Sequence, residues 1–267
     1  MSLSHRLSTP LPTALAITHF ALTLASCATR PPESDPMALA AYEEANDPLE
    51  PFNRGVYAFN NGLQTVLLEP LARGYRFITP QFARTGISNA FGNLREPVSA
   101  VNGFLQGSPE RAVTSLERFV INSTVGLGGL VDVAATQGRA PAREDFGQTL
   151  GVWGLDTGPY LVLPILGPSS VRDGFGFAVN TVIDPFFWVF QELDANTVNL
   201  ALTGFEGVTT LEANLDQLKE LQKSSLDPYA TFRSAYRQAR RAQVYNGNPP
   251  LVEDPLDDPF EDGFDDQ

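Results

Sequence analysis

Apolar side chains recur every three to four residues along most of this chain, the spacing that places them on one face of an α-helix. Five times a residue that caps helices stands directly before a proline, and proline's fixed φ and missing N–H suit the first helical turn. These pairs are Asp47-Pro48, Thr79-Pro80, Ser108-Pro109, Asp184-Pro185 and Asp227-Pro228. The pattern predicts a mainly α-helical body that forms one compact domain.

The predicted helices differ in length and in how they end. The first runs from Pro48 to about Leu68, where Pro70 ends it, and a shorter piece follows through Tyr75 and Phe77. Further helices are predicted at about 80–94, 97–106, 109–122, 144–150, 170–183 and 228–245, with the longest one after residue 196. Three prolines break the apolar stretch 158–168, which predicts an extended segment or one small hairpin.

No segment after residue 26 has 18 uninterrupted apolar residues, so the sequence predicts no transmembrane helix. The short helices are nevertheless rich in phenylalanine and glycine, and their apolar and polar faces differ only modestly. Such helices can pack as a globular core or lie at a membrane interface. Periodicity alone favours the globular core.

The first 27 residues have the form of an export and lipidation signal. Arg6 precedes an apolar stretch from Leu11 to Leu24, which is too short for a stable membrane anchor, and the stretch ends in Leu24-Ala25-Ser26-Cys27. This run resembles a bacterial lipobox, which predicts a signal peptide over 1–26 and an acylated Cys27 as lipid attachment site. Under the sorting rule for bacterial lipoproteins, Ala28 after the cysteine favours the outer membrane. A chance cysteine is the alternative.

Once the predicted signal peptide is removed, the composition of the remaining chain excludes several kinds of catalytic and metal site. Both histidines lie in the predicted signal and Cys27 is the only cysteine, so Ser-His-Asp and Cys-His catalysis and Cys/His zinc sites are excluded. The formal net charge is −13, which disfavours binding to nucleic acid. Eight of the acids lie in residues 251–267, and a tail over 248–267 is predicted to be disordered. It either keeps the protein soluble or docks a basic partner.

Two patterns are candidates for binding or catalytic motifs. The run Gly126-Leu127-Gly128-Gly129 lacks the spacing of a phosphate loop and is interpreted as close helix packing or a flexible joint. Acidic pairs such as Glu144-Asp145, or Asp156 with Asp173, resemble a hydrolase's two carboxylates, but no spacing marks a pair. The residues therefore predict no catalytic site, no metal site and no cofactor. A carboxylate-dependent hydrolase of the cell envelope and a passive scaffold remain as alternatives.

Several of these motifs occur in an order that resembles one protein family. They are DPLEPFNR at 47–54, NSTVGLGG at 122–129, DFGQTLG at 145–151, GPY at 158–160 and SLDPY at 225–229. The chain from about 47 to 245 resembles the VacJ/MlaA family of outer-membrane lipoproteins. With the lipobox, the resemblance divides the chain into a signal at 1–26, a linker at 27–46, a helical domain at 47–247 and the tail at 248–267.

The resemblance implies a ring of helices that lies within the outer membrane and encloses an amphipathic channel. Phospholipids misplaced in the outer leaflet would pass through it to a soluble periplasmic carrier, which preserves lipid asymmetry. It also implies association with a trimeric porin and a lipid anchor that faces the periplasm. We further expect Phe52, Asn53, Phe59 and Asn60 on the first helix to help set the channel's resting state, with Gly126, Gly128 and Gly129 as further gating candidates.

Overall fold

The computed structural model describes residues 47–193 and 195–250. They form ten α-helices and one two-stranded hairpin. The helices before the hairpin are α1 (Glu50–Leu63), α2 (Glu69–Ile78), α3 (Gln81–Leu105), α4 (Pro109–Thr124), α5 (Val133–Thr136) and α6 (Phe146–Val152). The hairpin consists of β1 (Tyr160–Leu163) and β2 (Gly167–Ser170), and then come α7 (Val171–Ile183), α8 (Pro185–Glu192), α9 (Asn196–Ser224) and α10 (Pro228–Val244). The prediction of a mainly helical chain with one hairpin is confirmed.

The proline pairs mark three helix starts as predicted. Pro109, Pro185 and Pro228 each occupy the first turn of α4, α8 and α10. The Asp227 carboxylate accepts a hydrogen bond from the N–H of Ala230 and so caps α10. The first two pairs behave differently, because Pro80 is itself the N-cap of α3 and α1 begins at Glu50 with Pro51 in its first turn.

Two predicted helix ends are wrong. Pro70 does not end the first helix, because a π-helical turn at Gln64–Leu68 joins α1 to α2 and the Glu69 N–H bonds back to the Gln64 carbonyl. The wider turn accommodates the proline ring that would otherwise clash with the preceding turn. Pro97 lies inside α3, so the two helices predicted at 80–94 and 97–106 are one helix of 25 residues.

Close packing against α4 explains why α3 persists through Pro97. A Cβ atom on Gly103 would lie 2.9 Å from the backbone nitrogen of Ala112, so the two helix backbones nearly touch at this point. Ala100 and Ala112 are buried, and α4 is the helix with which α3 makes its most extensive contact. This contact offsets the missing hydrogen bond at Pro97, which costs an isolated helix about 3 kcal/mol.

The hairpin lies between the first and last helices of the described chain. Its strands are antiparallel, with Tyr160 opposite Ser170 and Leu163 opposite Gly167. Tyr160 and Val162 form a small buried cluster with Tyr229 of α10, against which Val56 and Tyr57 of α1 pack. The hairpin therefore joins α1 to α10, which the chain separates by more than 160 residues.

Candidate functional site

Polar side chains dominate the interior, and apolar side chains dominate the surface of the described residues. Eighteen polar or charged residues are buried in this part of the chain, against ten apolar ones. Thirty-seven large apolar residues are exposed there, far more than the scattered exposure of a water-soluble domain requires. The expectation from periodicity alone, that these apolar faces pack as a globular core, is wrong for most of them.

The exposed apolar side chains occur on nearly every helix before α10. The most exposed include Phe77 at 91%, Phe82 at 80%, Val66 at 79% and Leu200 at 74%. In contrast, α10 exposes no large apolar side chain, and its exposed residues are Ala235, Gln238, Ala239 and Gln243. The surface therefore separates an apolar region, which suits lipid, from a polar α10, which suits water.

Two asparagines of α1 hold the hairpin. Asn53 Nδ2 donates to the Tyr160 carbonyl at 2.9 Å, and its Oδ1 accepts from the Val162 N–H at 2.9 Å. Two helical turns later, Asn60 makes the same pair of bonds to the Leu163 carbonyl and the Ile165 N–H, at 2.9 and 2.7 Å. We call Asn53 and Asn60 the asparagine clamp. Each amide supplies a donor and an acceptor to the hairpin backbone, as a neighbouring strand would.

The phenylalanines that precede the clamp residues lie on a neighbouring, exposed face of α1. Phe52 and Phe59 are 59% and 57% exposed, whereas Asn53 is fully buried. A spacing of seven residues is close to two helical turns, so the two asparagines share one face and the two phenylalanines share the next. The four gating candidates on α1 thus divide into the asparagine clamp, buried at Asn53 and half-buried at Asn60, and an exposed apolar pair.

The glycine gating candidates lie in a different part of the fold from the asparagine clamp, which binds the hairpin. Gly128 and Gly129 have φ angles of +72° and +90°, and a Cβ on Gly129 would lie 2.8 Å from the Asn93 Cβ on α3. Gly126 is equally crowded, because a Cβ there would collide with the Val131 carbonyl oxygen. The glycine-rich run is a tight turn packed on α3, which agrees with the close-packing interpretation.

A buried arginine fixes this turn. Arg118 of α4 donates to Glu96 of α3 at 2.6 Å, to the Arg139 carbonyl at 2.6 Å and to Asp132 at 3.0 Å. Asp132 also accepts from Asn122 at 3.0 Å and caps α5. The network joins α3, α4 and the segment after the glycine turn. Sequence reasoning missed it, since no local spacing relates these residues.

A second arginine network joins α10 to α6 and α7. Arg240 donates to both carboxylate oxygens of Asp145 at 2.6 Å, and it lies against Asp173, which also accepts from the hydroxyl of Tyr236 and from Arg172. Burial opposes the charged form of both aspartates, but Arg240, together with Gln148 at Asp145 and with Tyr236 and Arg172 at Asp173, outweighs burial and lowers the pKa of each below its ordinary value. Burial also raises the pKa of Tyr236 beyond its ordinary range.

These ion pairs bear on the carboxylates that the sequence offers as hydrolytic groups. Asp145 and Asp173 are bound by Arg240, and Glu144 is bound by Arg111. A general acid needs a raised pKa, which is the opposite of what Arg240 does to both aspartates. Their geometry fits helix-to-helix ion pairs rather than hydrolysis.

The described part of the chain also lacks a group of metal ligands and a membrane-spanning helix. Within 47–193 and 195–250, no three histidine, cysteine, aspartate or glutamate side chains group as ligands for a metal ion. None of the helices described there is both long and apolar enough to cross a membrane. Cys27, the predicted lipid attachment site, lies outside the described residues, as do the signal, the linker up to residue 46 and residues 251–267.

Known proteins resemble this chain over most of its length. A protein named Intermembrane phospholipid transport system lipoprotein MlaA from Escherichia coli is 38% identical over 206 residues, which cover 76% of this chain and 79% of the relative. Its namesake from Haemophilus influenzae is 36% identical over 79% of this chain and 83% of the relative. An uncharacterised protein of Rickettsia bellii is 39% identical over 75% of this chain and 78% of the relative.

A solved structure and a family model agree with these relatives. The structure comes from a study of the structural basis for maintenance of bacterial outer membrane lipid asymmetry, and it matches at 38% identity and a TM-score of 0.63. The match covers 76% of this chain and 99% of the solved one. The family model of the MlaA lipoprotein matches residues 45–243. The chain therefore belongs to the MlaA lipoprotein family.

Proposed function

We propose that this protein is an outer-membrane lipoprotein that removes mislocalised phospholipids from the outer leaflet and passes them to a periplasmic lipid carrier. The observation that carries the proposal is the inverted distribution of side chains, with polar groups buried and large apolar groups exposed. The names of the Escherichia coli and Haemophilus influenzae relatives support phospholipid transport. The solved structure that matches this chain was studied for the maintenance of outer membrane lipid asymmetry, which supports a role in that process.

The proposed mechanism is a ring of helices with an amphipathic channel through it. A phospholipid headgroup that crosses hydrocarbon alone leaves charged groups without partners, which costs many kcal/mol. A polar lining lowers this barrier while the acyl chains stay in contact with lipid. Helices can form such a wall because they satisfy their own backbone hydrogen bonds. Transfer breaks no covalent bond, so the proposal requires no catalytic residue.

Anchoring follows from the lipobox. We propose that Cys27 is acylated after removal of residues 1–26, that residues 27–46 connect it to the helical domain of 47–247, and that the anchor faces the periplasm. A trimeric porin and the carrier are the proposed protein partners. The polar helix α10 fits the aqueous side of such an arrangement, because its exposed positions carry no large apolar residue.

The test uses Cys27→Ala in cells that lack the native gene, with Ala28→Ser as matched control. Cys27→Ala should leave the outer membrane fraction and allow phospholipid to accumulate on the cell surface. Surface phosphatidylethanolamine is measured with a membrane-impermeant amine reagent on intact cells. Ala28→Ser should behave as the unmodified protein. Normal lipid asymmetry in cells that hold only a soluble Cys27→Ala form would contradict the proposal.

A second test addresses the alternatives. Purified protein incubated with phospholipid and with cell-wall glycan should release no product, because Asp145 and Asp173 are bound by Arg240. Labelled phospholipid should instead move from the protein to a carrier. Release of a cleaved product would favour the hydrolase, and a protein that neither cleaves nor transfers lipid would favour the scaffold.

A further inference from the structure

A cavity of about 350 Å³ lies between α2, α3 and α9. A polar stripe of α3 forms one wall, with members spaced three and four residues apart: Gln81, Arg84, Thr85, Ser88 and Asn89. Tyr75 and Arg76 of α2 and Glu212 of α9 contribute the other walls. The volume lies within the range of about 300 to 1,000 Å³ that is usual for small-ligand sites.

The charges balance in the ion-paired cluster at this cavity, when the partner of Arg76 outside the lining is included. Glu212 is 5% exposed and accepts from Arg76 at 2.6 Å and from Arg84. Arg76 also donates at 2.9 Å to Asp216, which is mostly exposed and is not one of the lining residues. The two guanidinium groups thus pair with two carboxylates, of which Glu212 lines the cavity. A simple anion would gain little net attraction here, whereas a ligand with one positive and one negative group could meet both kinds of partner.

Two donors at the cavity lack acceptors. Tyr75 is 9% exposed and its hydroxyl has no hydrogen-bond partner, although it lines the cavity. The Arg84 Nε is also buried without a partner. Buried polar groups are normally satisfied, because an unpaired one loses its bonds to water without replacement. The pair therefore indicates a ligand that accepts hydrogen bonds.

Exposed apolar side chains stand next in sequence to residues that line the cavity. Phe77 and Ile78 follow Arg76 at the end of α2, and Phe82 lies between Gln81 and the rest of the polar stripe. Their exposed fractions are 91%, 76% and 80%. A charge-balanced polar cavity beside exposed hydrocarbon matches the two ends of an amphiphile.

We propose that this cavity binds the headgroup of a zwitterionic phospholipid. The phosphate accepts from Arg84 and Tyr75, the ammonium group lies by the carboxylate of Glu212 on the side of its neighbour Asp216, and the acyl chains lie along Phe77, Ile78 and Phe82. This inference rests on the proposed function, because it takes phospholipid as the cargo. It adds the place where the headgroup binds and the preference for a zwitterionic over an anionic phospholipid.

Calorimetric titration of the full-length lipoprotein in detergent tests the inference. The probes are dihexanoylphosphatidylethanolamine, dihexanoylphosphatidylglycerol and inorganic phosphate. We expect the ethanolamine lipid to bind more tightly than the glycerol lipid, and inorganic phosphate neither to bind nor to compete. Preference for the glycerol lipid, or equal binding of both lipids, would overturn the zwitterionic assignment. Competition by inorganic phosphate would assign the cavity to free phosphate instead.

Two variants connect this binding to the cavity. Tyr75→Phe removes a hydroxyl that has no partner within the protein, so folding should be unaffected. Binding of the ethanolamine lipid should weaken about tenfold, the effect of one hydrogen bond to a charged group. Thr85→Leu fills the cavity from its exposed side and should weaken binding at least as much. Thr203→Leu on exposed α9 surface is the matched control and should bind normally.

Unchanged binding by Tyr75→Phe and Thr85→Leu would overturn the inference. If Thr85→Leu does not fold, unchanged binding by Tyr75→Phe alone overturns it. Transfer of labelled lipid to a carrier separates the two proposals. If the unmodified protein transfers lipid and both variants transfer it equally well, the cavity assignment fails alone. If the unmodified protein binds the headgroup but transfers nothing, the proposed function fails and the cavity assignment stands.

Discussion

Asn53 Nδ2 lies 2.9 Å from the Tyr160 carbonyl oxygen, although 107 positions separate the two residues. The same amide accepts from the Val162 N–H, so one fully buried side chain satisfies two backbone groups of β1. A two-stranded hairpin is marginally stable in isolation. The asparagine clamp therefore makes the position of the hairpin depend on α1.

Replacing Asn53 should destabilise the fold. Asn53→Ala removes the partner of a buried carbonyl and of a buried N–H, so the free energy of unfolding should fall by about 2 to 6 kcal/mol, at about 1 to 3 per group. Denaturant unfolding of the detergent-solubilised protein measures the loss. Asn214→Ala is the control, because the exposed Asn214 bonds only to its own helix. Equal effects of the two substitutions would mean that the clamp is not a stabilising contact.

Gly129→Ala should be more damaging than Gly128→Ala. Both residues have positive φ, which costs an alanine about 1 to 2 kcal/mol. Only at Gly129 would the new Cβ also collide with Asn93, which adds roughly 1 to 3 kcal/mol of overpacking. Thermal unfolding of both variants measures the difference. Equal midpoints would show that the turn can move away from α3.

The free energy of unfolding should decline at low pH, because Asp145 and Asp173 become protonated there. Their folded-state pKa values are lowered, so their contribution is complete above the unfolded value of about 4 and disappears as pH falls through the folded values. Denaturant midpoints measured from pH 7 to pH 2 follow this loss. In Arg240→Met the contribution should already be absent at pH 7, so its midpoint should fall less on acidification. Arg241→Met is the neighbouring control, and an identical pH profile for Arg240→Met would contradict the assignment.

Deletion of Phe59 and Asn60 should change lipid flow. It removes one exposed apolar residue and half of the asparagine clamp, and it rotates the rest of α1 by about 200° relative to the residues before it. The result should be loss of transport or a leak, seen as altered surface phospholipid in intact cells. Phe59→Leu with Asn60→Gln keeps the helix register and serves as the control. An unaltered outer leaflet with a folded deletion variant would argue against a gating role.

Local chemistry made much of the fold predictable. Proline after a capping residue located the starts of α4, α8 and α10, because both features act within one helical turn. The prolines at 159, 164 and 168 indicated the hairpin because each of them excludes a helix interior at its own position. Local rules failed at Pro70 and Pro97, where a π-helical turn and the packing of α3 on α4 carry the helix past a residue that would end it in isolation.

The sequence by itself determined most of the helical pattern and the family, since each is written in short runs or in the order of motifs. The tertiary structure decided which distant residues meet: Asn53 with Tyr160, Arg240 with Asp145, and Arg84 with Glu212. It also decided which medium each apolar face meets. Periodicity reveals that a helix has an apolar face, but the pattern is the same whether that face contacts a protein core or lipid. Only the exposure of those faces in the folded chain distinguishes the two.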